Sequence, residues 1–169
     1  MKYLLALLLV CAAATGFSQT STPFIFKDTI NHFSIVIPDG WHYGVSARYP
    51  GLKVIAYRDS GDTANPAHEN LNLNILQKEN SSLDKEYDKL ISALSAGNDL
   101  NVVESGTITI NGQPYKWFID AHQKPAQLSN YVFLTYKEGK TYILTFTTVS
   151  ESFSKYRSLF HDVAVTLVL

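Results

Sequence analysis

Two strand-like runs, Val102 to Ile110 and Gln113 to His122, are separated only by Asn111-Gly112. No short signal for a β-hairpin is stronger. The two-residue turn needs positive φ at both central positions, which asparagine and glycine reach at least cost. Glu138-Gly139 marks a second hairpin, between Ser129 to Tyr136 and Thr141 to Val149. Its strands are apolar on both sides, with Tyr131, Val132, Phe133 and Leu134 in one and Tyr142, Ile143, Leu144 and Phe146 in the other. Such strands belong at the centre of a sheet covered on both faces.

The remaining strands are shorter. Phe24 to Lys27 and Phe33 to Ile37 read as two of them, the second placing Phe33, Ile35 and Ile37 on one face before Pro38-Asp39-Gly40 turns the chain. Trp41 is expected to plug the end of the core, and a third strand falls near Lys53 to Tyr57. Arg58 to Glu69 is polar and reads as an exposed loop. From Asn70 to Ile75 the residues alternate, leucine or isoleucine against asparagine, which predicts a strand with one wet face. Leu83, Tyr87, Leu90, Ile91 and Leu94 fall on one helical stripe, with Ser81 as the expected N-cap and Gly97 as the stop. A second helix is predicted from a Ser150 cap, burying Phe153, Tyr156, Phe160 and Val163, and Val163 to Leu169 is expected to close the chain as a strand. The sum is a single α+β domain.

The N-terminus carries an export signature. Lys2 precedes an apolar run from Leu4 to Ala14, and small residues lead to an expected cut after Ser18, leaving Gln19 as the new terminus. The domains are then 1–18, a cleavable signal peptide, and 19–169. The run is far shorter than the ~20 residues of a spanning helix. Cys11 is not expected to carry lipid, since Val10 stands where a small residue is required and Cys11 lies inside the apolar run. Cleavage removes the one cysteine, so burial alone must stabilise the domain. It also removes Lys2, taking the formal charge from −1 to −2. With so little net charge and no basic run, nucleic acid and anionic membrane are not expected partners.

Several landmarks together resemble the PsbP family, whose fold is shared with a Ran-binding nuclear import factor. They are Phe33-Ser34-Ile35-Val36-Ile37-Pro38-Asp39-Gly40-Trp41, the Leu71/Leu73/Ile75 strand before Ser81-Ser82-Leu83, and Ile110-Asn111-Gly112. Tyr142-Ile143-Leu144-Thr145 and Phe160-His161-Asp162-Val163-Ala164-Val165 complete the set. The resemblance implies an α/β/α sandwich with a mainly antiparallel sheet. It implies accessory or binding roles rather than an enzyme class, and no site residue transfers, because the shared positions are structural. The segment before the first strand is too short for a photosystem-docking tail, so no photosynthetic role is carried over.

The chemistry-bearing residues form no constellation. His32, His42, His68, His122 and His161 lack the close spacing of a helical zinc pair, and the Asp59 to Asn70 segment lacks calcium-loop spacing. The strained Gly-x-Ser-x-Gly turn of a hydrolase is absent. No catalytic residue, metal or cofactor is expected. The segment His42 to Gly51 stands out instead, because Tyr43, Arg48 and Tyr49 are residue types that anchor interfaces. The bland alternative is that both tyrosines cover the sheet edge and Arg48 is solvated. The leading functional expectation is a non-catalytic, soluble, exported domain with a protein partner in the cell envelope. A small-molecule carrier with a pocket between sheet and helices is the alternative, and an enzyme comes third.

Overall fold

The computed structural model describes residues 23–45, 48–58, 69–97, 100–121 and 127–169. The expected signal peptide, His68, His122 and most of the segment after Arg58 lie outside them. In chain order the strands are β1 (Phe24–Asp28), β2 (Phe33–Ile37), β3 (Trp41–Gly44), β4 (Leu52–Arg58) and β5 (Asn70–Gln77). Helix α1 (Leu83–Ser95) follows, then β6 (Val102–Ile110), β7 (Gln113–Ala121), β8 (Leu128–Lys137), β9 (Lys140–Val149) and α2 (Phe153–Ala164).

Both tight turns form at the residues that demand them. Asn111 and Gly112 take φ of 51° and 79°, and Glu138 and Gly139 take 50° and 73°. The hairpins β6–β7 and β8–β9 therefore close directly at these turns, Ile110 opposite Gln113 and Lys137 opposite Lys140, and the β6–β7 ladder shifts register between Val102 and Glu104. Seven antiparallel strands are joined in the order β3-β4-β5-β9-β8-β7-β6, and β1 pairs with β2 as a separate ribbon. The doubly apolar β8 and β9 take interior places in the sheet, as their composition requires.

The two faces of the sheet are covered by different helices. Phe160 of α2 stacks on Phe146, with ring centroids 5.0 Å apart, and Phe146 lies opposite Tyr131 across the β8–β9 ladder. Tyr87 of α1 meets Phe118, which lies opposite Val132. Tyr131 and Val132 are neighbours in one strand and point to opposite faces. The result is the expected α/β/α sandwich. The β1–β2 ribbon completes the α2 layer, where Phe33, Ile35 and Ile37 are buried alongside Leu71, Leu73 and Ile75. Trp41 joins the same core, as expected.

Five sequence expectations need correction. Ser82, not Ser81, caps α1 by accepting from the Lys85 N–H, while the Ser81 hydroxyl donates to Glu86. Glu86 is the buried residue of α1, and the leucine–tyrosine stripe is only half-buried, with Leu94 exposed. Ser150 opens a short 3-10 turn without a side-chain cap, and α2 starts at Phe153 and runs on to Ala164. The terminal segment is then not a strand. Val168 makes one isolated bridge to Ser34, and the tail is held by Thr166 accepting from the Val36 N–H and Leu167 O accepting from Asn111. The two ends of the segment expected to be exposed, Arg58 and Glu69, are tied together: Arg58 closes β4, and the buried Glu69 carboxylate accepts from it at 2.8 Å. An ion pair and a strand end cannot be told from solvated polar residues by composition.

Candidate functional site

Tyr43 does not sit on a loop. It belongs to β3, a four-residue strand at the edge of the large sheet, paired on one side to β4 with Tyr43 opposite Ala56. The alternation Trp41 in, His42 out explains why the sequence hid this strand: two of its four residues face solvent. Tyr43 leans on the ribbon instead, stacked on Phe24 with centroids 4.7 Å apart and edge-on to Phe26 at 5.9 Å. Tyr43 is 48% exposed, Phe24 45% and Tyr49 58%, so these rings cover little and remain available.

Arg48 and Tyr49 do come together. The guanidinium lies 5.6 Å from the Tyr49 ring centroid, and Tyr49 O accepts from the Leu52 N–H to start the turn into β4. Between this turn and the ribbon runs a groove of about 550 Å³, bordered by Phe26, Ile30, Val45, Pro50, Leu52 and Lys53. Lys53 donates to Pro50 O at 2.6 Å, and the Asp28 carboxylate holds the Ile30 and Asn31 N–H groups of the ribbon turn. Burial pushes the Asp28 carboxyl up, but those hydrogen bonds and the charge of Lys53 outweigh it and keep it below its ordinary value. Ile30 and Val45 project into solvent at 86% and 70% exposure. An edge strand, a groove and a cluster of exposed apolar side chains therefore coincide.

A second concavity, of about 530 Å³, lies at the other end of the sheet on the α2 face. Ile108, Trp117 and Tyr131 make its floor, and Ser154, Arg157 and His161 of α2 make its wall. Arg157 reaches across to Glu104 on β6 at 2.7 Å. Nothing in the sequence groups these residues, because they come from four separate elements, β6, β7, β8 and α2. The signal available was Gly106, a lone glycine inside a strand, which marks a close approach. That approach is to Trp117, whose ring would clash with any β-carbon there.

Of the described histidines, His42 faces Tyr57, His161 faces Phe133, and His32 takes a left-handed turn conformation. Among the described residues no three histidine, cysteine or acidic side chains converge on a metal-sized site. No described helix is long and apolar enough to cross a membrane.

No family model matches the chain, and no curated protein matches it in sequence. Solved structures do. The cyanobacterial PsbP protein CyanoP from Synechocystis sp. PCC 6803 superimposes with a TM-score of 0.66 at 17% identity, over 94% of this chain and 98% of that one. PA94 of Pseudomonas aeruginosa, a protein of unknown function, gives 0.57 at 13% identity over 88% and 98%. LpqN of Mycobacterium tuberculosis, involved in cell envelope biogenesis, gives 0.53 at 10% identity over 89% and 86%. The chain has the PsbP-like fold. At these identities the likeness concerns the fold alone.

Proposed function

We propose that this chain is an exported, non-catalytic accessory domain that binds a protein partner of the cell envelope along the β3 edge. The observation that carries the reading is the half-exposed Phe24–Tyr43 stack beside an edge strand. An edge strand offers unpaired backbone groups to an extended segment of another chain, and flanking rings supply specificity. Tyrosine gives large contact area at modest entropic cost, and Arg48 beside Tyr49 adds directional donors. The envelope setting is supported by the export signature and by what is said of LpqN.

The test is capture of partners from the organism's own envelope fraction by the wild-type domain and by a variant with Tyr43, Arg48 and Tyr49 all changed to alanine. Loss of a specific captured protein, with the melting temperature nearly unchanged, is the expected result. Hydrogen exchange on the recovered complex should then show protection at β3. Undiminished capture by the folded variant would place the contact elsewhere. A large fall in melting temperature would make Tyr43 a core residue.

A further inference from the structure

The concavity on the α2 face has its own chemistry, independent of the β3 edge at the far side of the sheet. Tyr131 lines it with its side chain 96% out of solvent, since the residue is only 4% exposed. Its ring is gripped by Trp117, Phe133 and Phe153. Its hydroxyl nevertheless makes no hydrogen bond among the described residues, and it is not one of the enclosed atoms left without a partner. A hydroxyl in that state opens onto the groove. The rings around it fix the phenol in place, so its hydroxyl is presented to the groove in one orientation, ready to bond an acceptor that enters.

The neighbours define what would fit. Trp117 and Tyr131 meet edge to face with centroids 5.6 Å apart, giving an apolar corner for a ring. Arg157 engages Glu104 through a single nitrogen, Nη2, and a guanidinium carries five N–H donors. The remaining donors can serve a second acceptor, although the Glu104 carboxylate leaves the pair neutral overall. Ser154 and His161 add polar atoms on the same wall. The volume, about 530 Å³, lies in the range of small-molecule sites.

We propose that this groove binds a small cyclic carboxylate, its ring in the Trp117–Tyr131 corner and its carboxylate on Arg157 and the Tyr131 hydroxyl. The domain then has two binding surfaces, one at each end of the sheet. The carboxylate supplies acceptors for the Tyr131 hydroxyl and for the guanidinium donors that Glu104 leaves over, and charge-assisted bonds from arginine make it the preferred head group.

The experiment is a titration of the domain with 1-naphthoate, followed by amide and indole N–H nuclear magnetic resonance shifts. Saturable shifts are expected at the Trp117 indole N–H and along residues 154–161. 1-Naphthalenemethanol, with the same ring and no charge, should bind about tenfold more weakly. Arg157→Gln should lose a similar factor and Tyr131→Phe several-fold, while the triple alanine variant of the β3 edge should bind as the wild type does. No saturable shift up to the probe's solubility would overturn the proposal, as would equal affinity for the alcohol or shifts centred on β3. If Arg157→Gln does not fold, the alcohol comparison and Tyr131→Phe decide the matter alone.

Discussion

Trp117 lies flat against Gly106, its direct partner on the neighbouring strand, so closely that a β-carbon at position 106 would sit 2.8 Å from Trp117 Cζ2. A large ring covering a strand glycine offsets what the glycine costs the sheet, since it shields backbone that would otherwise be solvated. Here it also fixes the floor of the α2-side groove. Gly106→Ala should push the indole out of place and destabilise the domain by ~1–3 kcal/mol, the usual range for overpacking. Denaturant melts of the variant, with tryptophan emission recorded in a Trp41→Phe background, would show both effects. An unchanged midpoint and unchanged emission would mean the ring moves aside freely.

The β6–β7 turn offers a cleaner backbone test. Gly112 has φ of 79° and nothing within 4 Å of where a β-carbon would stand, so space is not at issue. Gly112→Val should cost ~1 kcal/mol or more through conformation alone, because a β-branched residue resists left-handed φ. Gly112→Asn should recover most of that loss. Equal melting curves for the valine and asparagine variants would contradict the argument.

Much of the fold was legible because the turns are local. Asn111-Gly112 and Glu138-Gly139 need unusual dihedrals, and few residues supply them, so the two hairpins could be read from four positions. The wet face of β5 was equally plain. Strand β3 escaped because it is four residues long and its solvent-facing members look like a loop. Glu86 gave no sign in the sequence of being the buried residue of α1, because its partners Ser81 and Lys89 are ordinary polar residues. Of the candidate site, the residue types were visible but not their grouping: Tyr43 joins Phe24 on another ribbon. Of the α2-side groove only Gly106 gave a sign, since its lining residues come from elements that meet only in three dimensions.

Acid sensitivity follows from Glu69 and Glu86. Burial raises both carboxyls, but Arg58 and Thr148 around Glu69, and Lys89 and Ser81 around Glu86, outweigh it, so both lie below their ordinary value. A depressed carboxyl contributes stability that is fully present above its unfolded-state pKa, about 4.3, and lost as pH falls through the lower folded value. Melting temperature should therefore decline on the acid side of about pH 4. Glu69→Gln should lower stability at neutral pH and flatten that decline, which melts across the acid range would record. Parallel curves for wild type and variant would assign the acid loss to other groups.

Export has a direct readout. Mass spectrometry of the released protein should find Gln19 at the N-terminus, free or cyclised. An intact Met1, or lipid on Cys11, would overturn the assigned cleavage.

The strand that joins the two halves of the sheet follows all the other described strands in chain order. On one side of β9 lie β5, β4 and β3, and on the other β8, β7 and β6. The β5–β9 ladder pairs Leu71 with Phe146 and Leu73 with Leu144, contacts between residues far apart in the chain. Closing so long a loop costs entropy before any contact repays it, which slows assembly. Until residues 140–149 have emerged, β5 has no neighbour on its inner side and α2 has no floor. The two halves of the sheet therefore stay apart until this one strand is present, and the last step of assembly is a long-range closure rather than a local turn.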